Sequence, residues 1–115
     1  MYISNLDTVI KFKPEMEGAK GVIKQVPLSK EDGATTFSFR VFTIEPGGHT
    51  PRHQHPFEHM NYVIEGSGTA MSGDTGNEIK KGDFVLVPPN EIHQYINTST
   101  REPLVIICAV PVQYE

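Results

Sequence analysis

The chain holds no tryptophan and a single cysteine in 115 residues. A lone thiol excludes an internal disulfide, so a fold of this length must rest on its own apolar core. Long apolar runs are missing too. The longest, Leu104 to Val110, has seven residues, against roughly 18 for a helix that crosses a bilayer, and no membrane association is expected. Positive charge is scarce: ten Lys and Arg against fourteen Asp and Glu give a formal net charge of -4. The basic residues are dispersed, with no stripe that could neutralise phosphates, which excludes nucleic acid as an expected partner. The first residues, Met1 to Asp7, lack a basic segment followed by an apolar one, so no secretory signal is legible and the cytoplasm is the expected compartment.

Helix-length stretches are also lacking. Ten Gly and nine Pro are spread so evenly that no segment free of both exceeds thirteen residues. What lies between the breaks is rich in β-branched and aromatic residues. Phe37, Phe39 and Val41 alternate with Ser38 and Arg40. Further strand-like runs are Gly21 to Val26, His59 to Glu65, Gly68 to Ser72, Glu78 to Lys80, Asp83 to Val87 and Leu104 to Pro111. Turns are expected at Glu31-Asp32-Gly33, Gly66-Ser67-Gly68, Gly73 to Asn77 and Lys81-Gly82-Asp83. In Asn90 to Glu102, Ile92, Tyr95 and Ile96 would suit a helical face, but Thr98, Thr100 and the preceding Pro88-Pro89 favour a strand and a turn. Many short strands at regular spacing predict an all-β sandwich or barrel, without a linker that would mark a second domain.

Against this background the histidines stand out, because four of the five fall between His49 and His59. In an extended chain residues i and i+2 point to one side, so His53 and His55 can address one ion from one strand face. Pro56 interrupts ladder bonding, and the even offset to His59 lets the next strand carry a third imidazole to the same interior. His93 follows a separate strand, Asp83 to Val87, and a tight turn, so two distant segments can converge on one point.

These two segments resemble the paired motifs of the cupin family. The first motif reads Gly47, five residues, His53-Gln54-His55, three residues, His59, six residues, Gly66. The second reads Gly82, five residues, Pro88-Pro89-Asn90, two residues, His93, three residues, Asn97. The resemblance implies a double-sheet jelly-roll (cupin) β-barrel formed as one domain over residues 1–115, with the motifs at 47–66 and 82–97. Asn90 stands where the second motif has glycine, a mild departure because Asn also tolerates the left-handed backbone region. His59 stands where the usual metal-binding pattern has glutamate. That departure is similar to a four-histidine subgroup of small cupins that includes a manganese-containing thermophile member.

The resemblance implies that His53, His55, His59 and His93 hold one divalent transition metal ion, with Mn or Fe favoured and Zn, Ni or Cu also compatible. Imidazole donors by themselves suit Zn, Cu, Fe and Ni, whereas Mn prefers oxygen. Four neutral imidazoles would leave the full +2 on the ion. Two open positions on an octahedral ion imply a dioxygenase-like oxidoreductase acting on a small organic molecule. The alternatives are a non-catalytic small-molecule or metal-binding module and a metal-dependent isomerase.

Three further residues are candidates for catalysis. Glu58 can act as a carboxylate beside the ligands, although a solvent-facing strand residue is the plainer reading. Tyr95, two residues after His93, shares its side and offers a phenol, with core filling as the alternative. Cys108 in the last strand is by default a small buried hydrophobe, and by resemblance a pocket-lining residue. His49, before Pro51 and outside the motif, is expected at the surface. A homodimer is expected, because a barrel this small leaves apolar strand faces such as Tyr62 and Ile64 to be covered.

Overall fold

A computed structural model describes residues 1–115. Eight strands follow one another: β1 Lys20–Leu28, β2 Phe37–His49, β3 His59–Glu65, β4 Ser67–Ser72, β5 Thr75–Lys80, β6 Phe84–Val87, β7 His93–Ile96 and β8 Leu104–Pro111. Single 3-10 turns at Lys30–Asp32 and Val112–Tyr114 are the only helical segments, and no helix is long and apolar enough to cross a membrane. The strands pair antiparallel in the order β5-β4-β7-β2-β8-β3-β6, with β1 on the remaining edge of β2. The sheet curls on itself as a jelly-roll β-barrel, the architecture expected from the sequence.

The long strand β2 makes the curl possible. Its first part pairs with β8 from Phe37 to Ile44, while its last residue, His49, pairs with Ile96 of β7. Between these partners lies Pro46-Gly47-Gly48. Gly47 has φ 76°, and a Cβ on Gly48 would approach the Lys20 carbonyl oxygen to 2.5 Å, so only glycine lets the chain bend and pass this close to β1. Asn97, which ends the second motif and is 1% exposed, pins the bend. Its side-chain amide donates to the Ile44 and Glu102 carbonyls, both at 2.9 Å, and its backbone N–H donates to Gly48.

Val22, Ile44, Val63, Ile79, Tyr95, Leu104 and Ile106 form the core between the curled walls. One expected turn is shorter than anticipated. Only Gly73 and Asp74 turn, and Thr75, Gly76 and Asn77 already pair with Ser72, Met71 and Ala70. β5 is an edge strand with one buried residue, so polar side chains carry no desolvation penalty there and composition alone misled. Asn90 to Glu102 folds as expected into β7 and a turn, whose Ser99 hydroxyl accepts the N–H groups of Arg101 and Glu102.

Candidate metal centre

His53 and His55 do not sit on a regular strand, as the sequence suggested. They lie on the extended connection between β2 and β3, flanked by Pro51 and Pro56, whose missing N–H groups prevent a continuous ladder. One bridge remains. His53 donates its N–H to His93 (3.1 Å) and accepts that of His93 (2.9 Å), so the two residues face each other across an antiparallel pair. The extended backbone still points His53 and His55 the same way. β3 opens at His59 and directs that ring inward with Asn61 and Val63, all three buried.

The rings converge. Ring centroids lie 4.8 Å apart for His53 and His93, 4.9 Å for His55 and His93, 4.9 Å for His55 and His59, and 4.9 Å for His59 and His93. His53, His55 and His93 each offer one nitrogen within 4.8 Å of the other two, a cluster that can bind a metal ion. His59 falls outside that three-histidine cluster, although its Nε2 lies 3.2 Å from Nε2 of His93.

Hydrogen bonds decide which nitrogens are free. Nδ1 of His93 faces the Glu91 carbonyl at 2.8 Å and Nδ1 of His55 faces the Phe57 carbonyl at 2.8 Å. A carbonyl only accepts, so both Nδ1 atoms carry a proton, and in the neutral ring each Nε2 keeps a lone pair. His59 is held in the same form: its Nδ1 lies 3.0 Å from Oδ1 of Asn61, whose amide nitrogen donates to the Tyr95 hydroxyl. With both rings neutral, two lone pairs meet at 3.2 Å between His59 and His93. That contact is repulsive unless a cation lies between them, and 3.2 Å is the spacing of two nitrogens that each bind one ion at about 2.1 Å. Burial above all lowers the pKa of His53 and of His59 from 6.5 to about 4, so both rings stay neutral at neutral pH. Burial also lowers that of His55.

The histidines form one wall of a cavity of about 150 Å³. His55 is braced by stacking on Phe57 (3.8 Å between centroids), which stacks on Tyr114 (4.0 Å). Tyr95 and Cys108 line the same space and are buried. Burial raises the pKa of both, so the phenol and the thiol stay protonated at neutral pH. Cys108 Sγ lies 3.3 Å from Nδ1 of His59. Glu58 is exposed and outside the cavity. His49 is also outside it, but half-buried where surface exposure was expected: it ends β2, with Nδ1 beside the Thr50 carbonyl and the Gln94 amide.

Arg40 and Asn61 were not singled out by the sequence, yet both reach the cavity. In β2 the usual rule is reversed: Phe37 is 61% and Phe39 43% exposed, while Ser38 is 1% exposed and Arg40 points inward with Phe42 and Ile44. The available signal was parity, since Arg40 is two residues from Phe42 and four from Ile44, and Asn61 is two from both His59 and Val63.

The chain belongs to the cupin family: the model described as "Cupin domain" matches residues 40–110. L-ectoine synthase of Bordetella petrii is 34% identical over 110 residues, covering 94% of this chain and 80% of that protein. Gentisate 1,2 dioxygenase 1 of Aquipseudomonas alcaligenes is 34% identical over 59 residues, which are 50% of this chain but 17% of that one. Among solved structures, the polyketide cyclase RemF of Streptomyces resistomycificus superposes with a TM-score of 0.92 at 27% identity, over 97% of this chain and 80% of the other.

Proposed function

We propose that this chain is a metal-dependent enzyme. One divalent transition ion is held by His53, His55, His59 and His93, and a small organic substrate occupies the cavity beside it. The observation that carries this reading is the convergence of the imidazoles, with Nε2 of His59 and Nε2 of His93 3.2 Å apart and the Nδ1 of each turned to an acceptor. An all-nitrogen donor set suits Fe, Zn, Ni or Cu, and the resemblance to four-histidine cupins adds Mn. When bound, the ion would supply Lewis-acid polarisation of a substrate oxygen, or access to dioxygen if it is iron.

The remaining roles fall to the chain itself. Asn61 holds His59 in the tautomer that presents Nε2. Tyr95, a neutral phenol at the cavity wall, can donate a hydrogen bond or proton to a substrate oxygen. Phe42, Ile44 and Ile106 limit water. The likeness to a synthase and to a cyclase extends over more than nine-tenths of the chain and supports an enzyme, for which we take the polarising reaction as the first reading. A dioxygenase-like oxidoreduction is the second reading, supported by the match to gentisate 1,2 dioxygenase 1 over half of the chain.

The test is metal stoichiometry after dialysis for wild type, His93→Ala and His49→Ala. Wild type and His49→Ala should keep one ion per chain and His93→Ala should lose it; equal retention in the two variants would remove His93 as a ligand, and a wild type without an ion would remove the metal reading. Gentisate-dependent oxygen uptake by the iron-loaded protein, absent from the zinc-loaded protein, would replace the polarising reaction with the oxidative one.

A further inference from the structure

The wall of the cavity beside the histidines carries a cation with no carboxylate bonded to it. Arg40 enters from β2, directly across from Cys108 of β8, which in turn pairs with Asn61 of β3. One Nη of the guanidinium donates to Cys108 Sγ at 3.1 Å, a weak acceptor, and that is its only hydrogen bond. Its Nε is buried and has no partner. Buried donors left open in this way are uncommon, and a guanidinium is among the groups that most require an acceptor.

The surroundings do not supply one. No Asp or Glu lines the cavity, and the only ion pair in the protein is Arg52 with Asp74 at the surface. Glu115, near this end of β2, is already engaged by the Ser38 hydroxyl and the Lys30 backbone N–H. A second cation adds to the imbalance: Lys24 and Arg40 both lie over the Phe42 ring, at 5.9 and 5.1 Å from its centroid. The Lys24 pKa is lowered, first by burial and then by Arg40, and the nearby Glu115 carboxylate offsets this only in part.

We infer that the cavity takes a small organic acid, whose carboxylate is bound by the guanidinium of Arg40 while its other end faces the histidine cluster. The two terminal Nη groups carry parallel N–H donors that match the two oxygens of a carboxylate, while Nε–H, closed off from the cavity, senses that pairing through the shared guanidinium. The rest of the lining favours a monoanion with an apolar body over a heavily hydrated phosphate, since it includes Met16, Phe42, Ile44, Pro51, Phe57 and Ile106. A volume of about 150 Å³ calls for a short molecule, below the roughly 300–1,000 Å³ of pockets for drug-sized ligands. Arg40 and His59 contact the same sulfur atom, so the acid group is anchored close to the ligand cluster without needing to be a ligand itself.

This inference deepens the metal-enzyme reading by naming its substrate class, and the test separates the two. Butyrate, its neutral amide butyramide and inorganic phosphate are titrated into Co(II)-loaded and metal-free protein while the ¹H–¹⁵N signal of the Arg40 Nε–H is followed. Butyrate should shift that signal in both forms and bind about tenfold or more tightly than butyramide. Arg40→Gln should lose that advantage while keeping the Co(II) stoichiometry and spectrum of wild type, and Arg40→Lys should restore part of it. If the protein holds no Co(II) yet butyrate still moves the Nε–H signal, the metal reading fails and the carboxylate site stands. Equal binding of butyrate and butyramide, or unchanged butyrate affinity in Arg40→Gln, would overturn the inference. A larger shift with phosphate would overturn the assignment to a carboxylate. If Arg40→Gln does not fold, the wild-type signal decides: no movement through the butyrate titration rejects the site.

Discussion

Asn90 donates its backbone N–H to the carbonyl of His55 at 2.8 Å, so the turn of the second motif holds a histidine of the first. Asn90 does this with φ 66°, the only non-glycine residue in the left-handed region. Asn90→Gly should leave stability nearly unchanged, whereas Asn90→Ala should lose about 1 kcal/mol and Asn90→Val more, because a Cβ without a local hydrogen bond is strained there. Denaturant midpoints of the three variants check this ranking; an alanine variant as stable as wild type would contradict it.

His59→Glu should keep the metal. A carboxylate can take the same coordination position, but it lowers the net charge of the site from +2 to +1 and weakens the ion as a Lewis acid. The Co(II) spectrum should change in His59→Glu and again in His59→Ala. Three superimposable spectra would show that only His53, His55 and His93 bind.

The motif glycines should differ in sensitivity. Gly66 (φ 83°) lies against the Pro103 carbonyl, where a Cβ would collide with backbone, while Gly82 (φ 98°) has open space around it. Gly82→Ala should therefore lose only the backbone strain of about 1–2 kcal/mol, and Gly66→Ala clearly more. Thermal unfolding of the two variants compares them directly, and equal losses would refute the collision argument.

Acid should destabilise the metal-free protein. The pKa of His53 and of His59 is about 4 in the fold against 6.5 when unperturbed, so between these values the unfolded chain binds more protons. Their contribution is fully present above pH 6.5 and is lost as pH falls through about 4. His59, the more deeply buried, should account for the larger part. Tm of metal-free wild type should fall across this window and fall less steeply in His59→Gln; parallel curves would contradict the assignment.

The homodimer expected from the sequence has a candidate face on the side of β3 that carries Tyr62 and Ile64. Tyr62 and Ile64 are half-buried, whereas Met60, Phe84 and Leu86 are 54%, 81% and 58% exposed. Met60 pairs with Leu86 and Tyr62 with Phe84, so the exposed side chains form one patch on β3 and β6. Light scattering should give the dimer mass for wild type and the monomer mass for Phe84→Glu. A monomeric wild type would end the proposal.

Periodicity and spacing sufficed for much of this protein. Even Gly and Pro spacing ruled out helices, β-branched runs located the strands, and two His-bearing segments at motif spacing pointed to one centre, because these features act through local backbone geometry. What only the tertiary structure decided depends on which elements meet. The direction of Arg40 is set by the curl of β2 against β8, and its lack of an acceptor depends on every residue around the cavity. The free nitrogens of His55 and His93 follow from carbonyls two residues away, but the meeting of His59 with His93, 34 positions apart, follows from how β3 and the Pro88-Pro89-Asn90 turn pack. A one-dimensional pattern carries the parity of a side chain. Its partners exist only once the sheet has closed, since parity is a property of the strand and contact a property of the barrel.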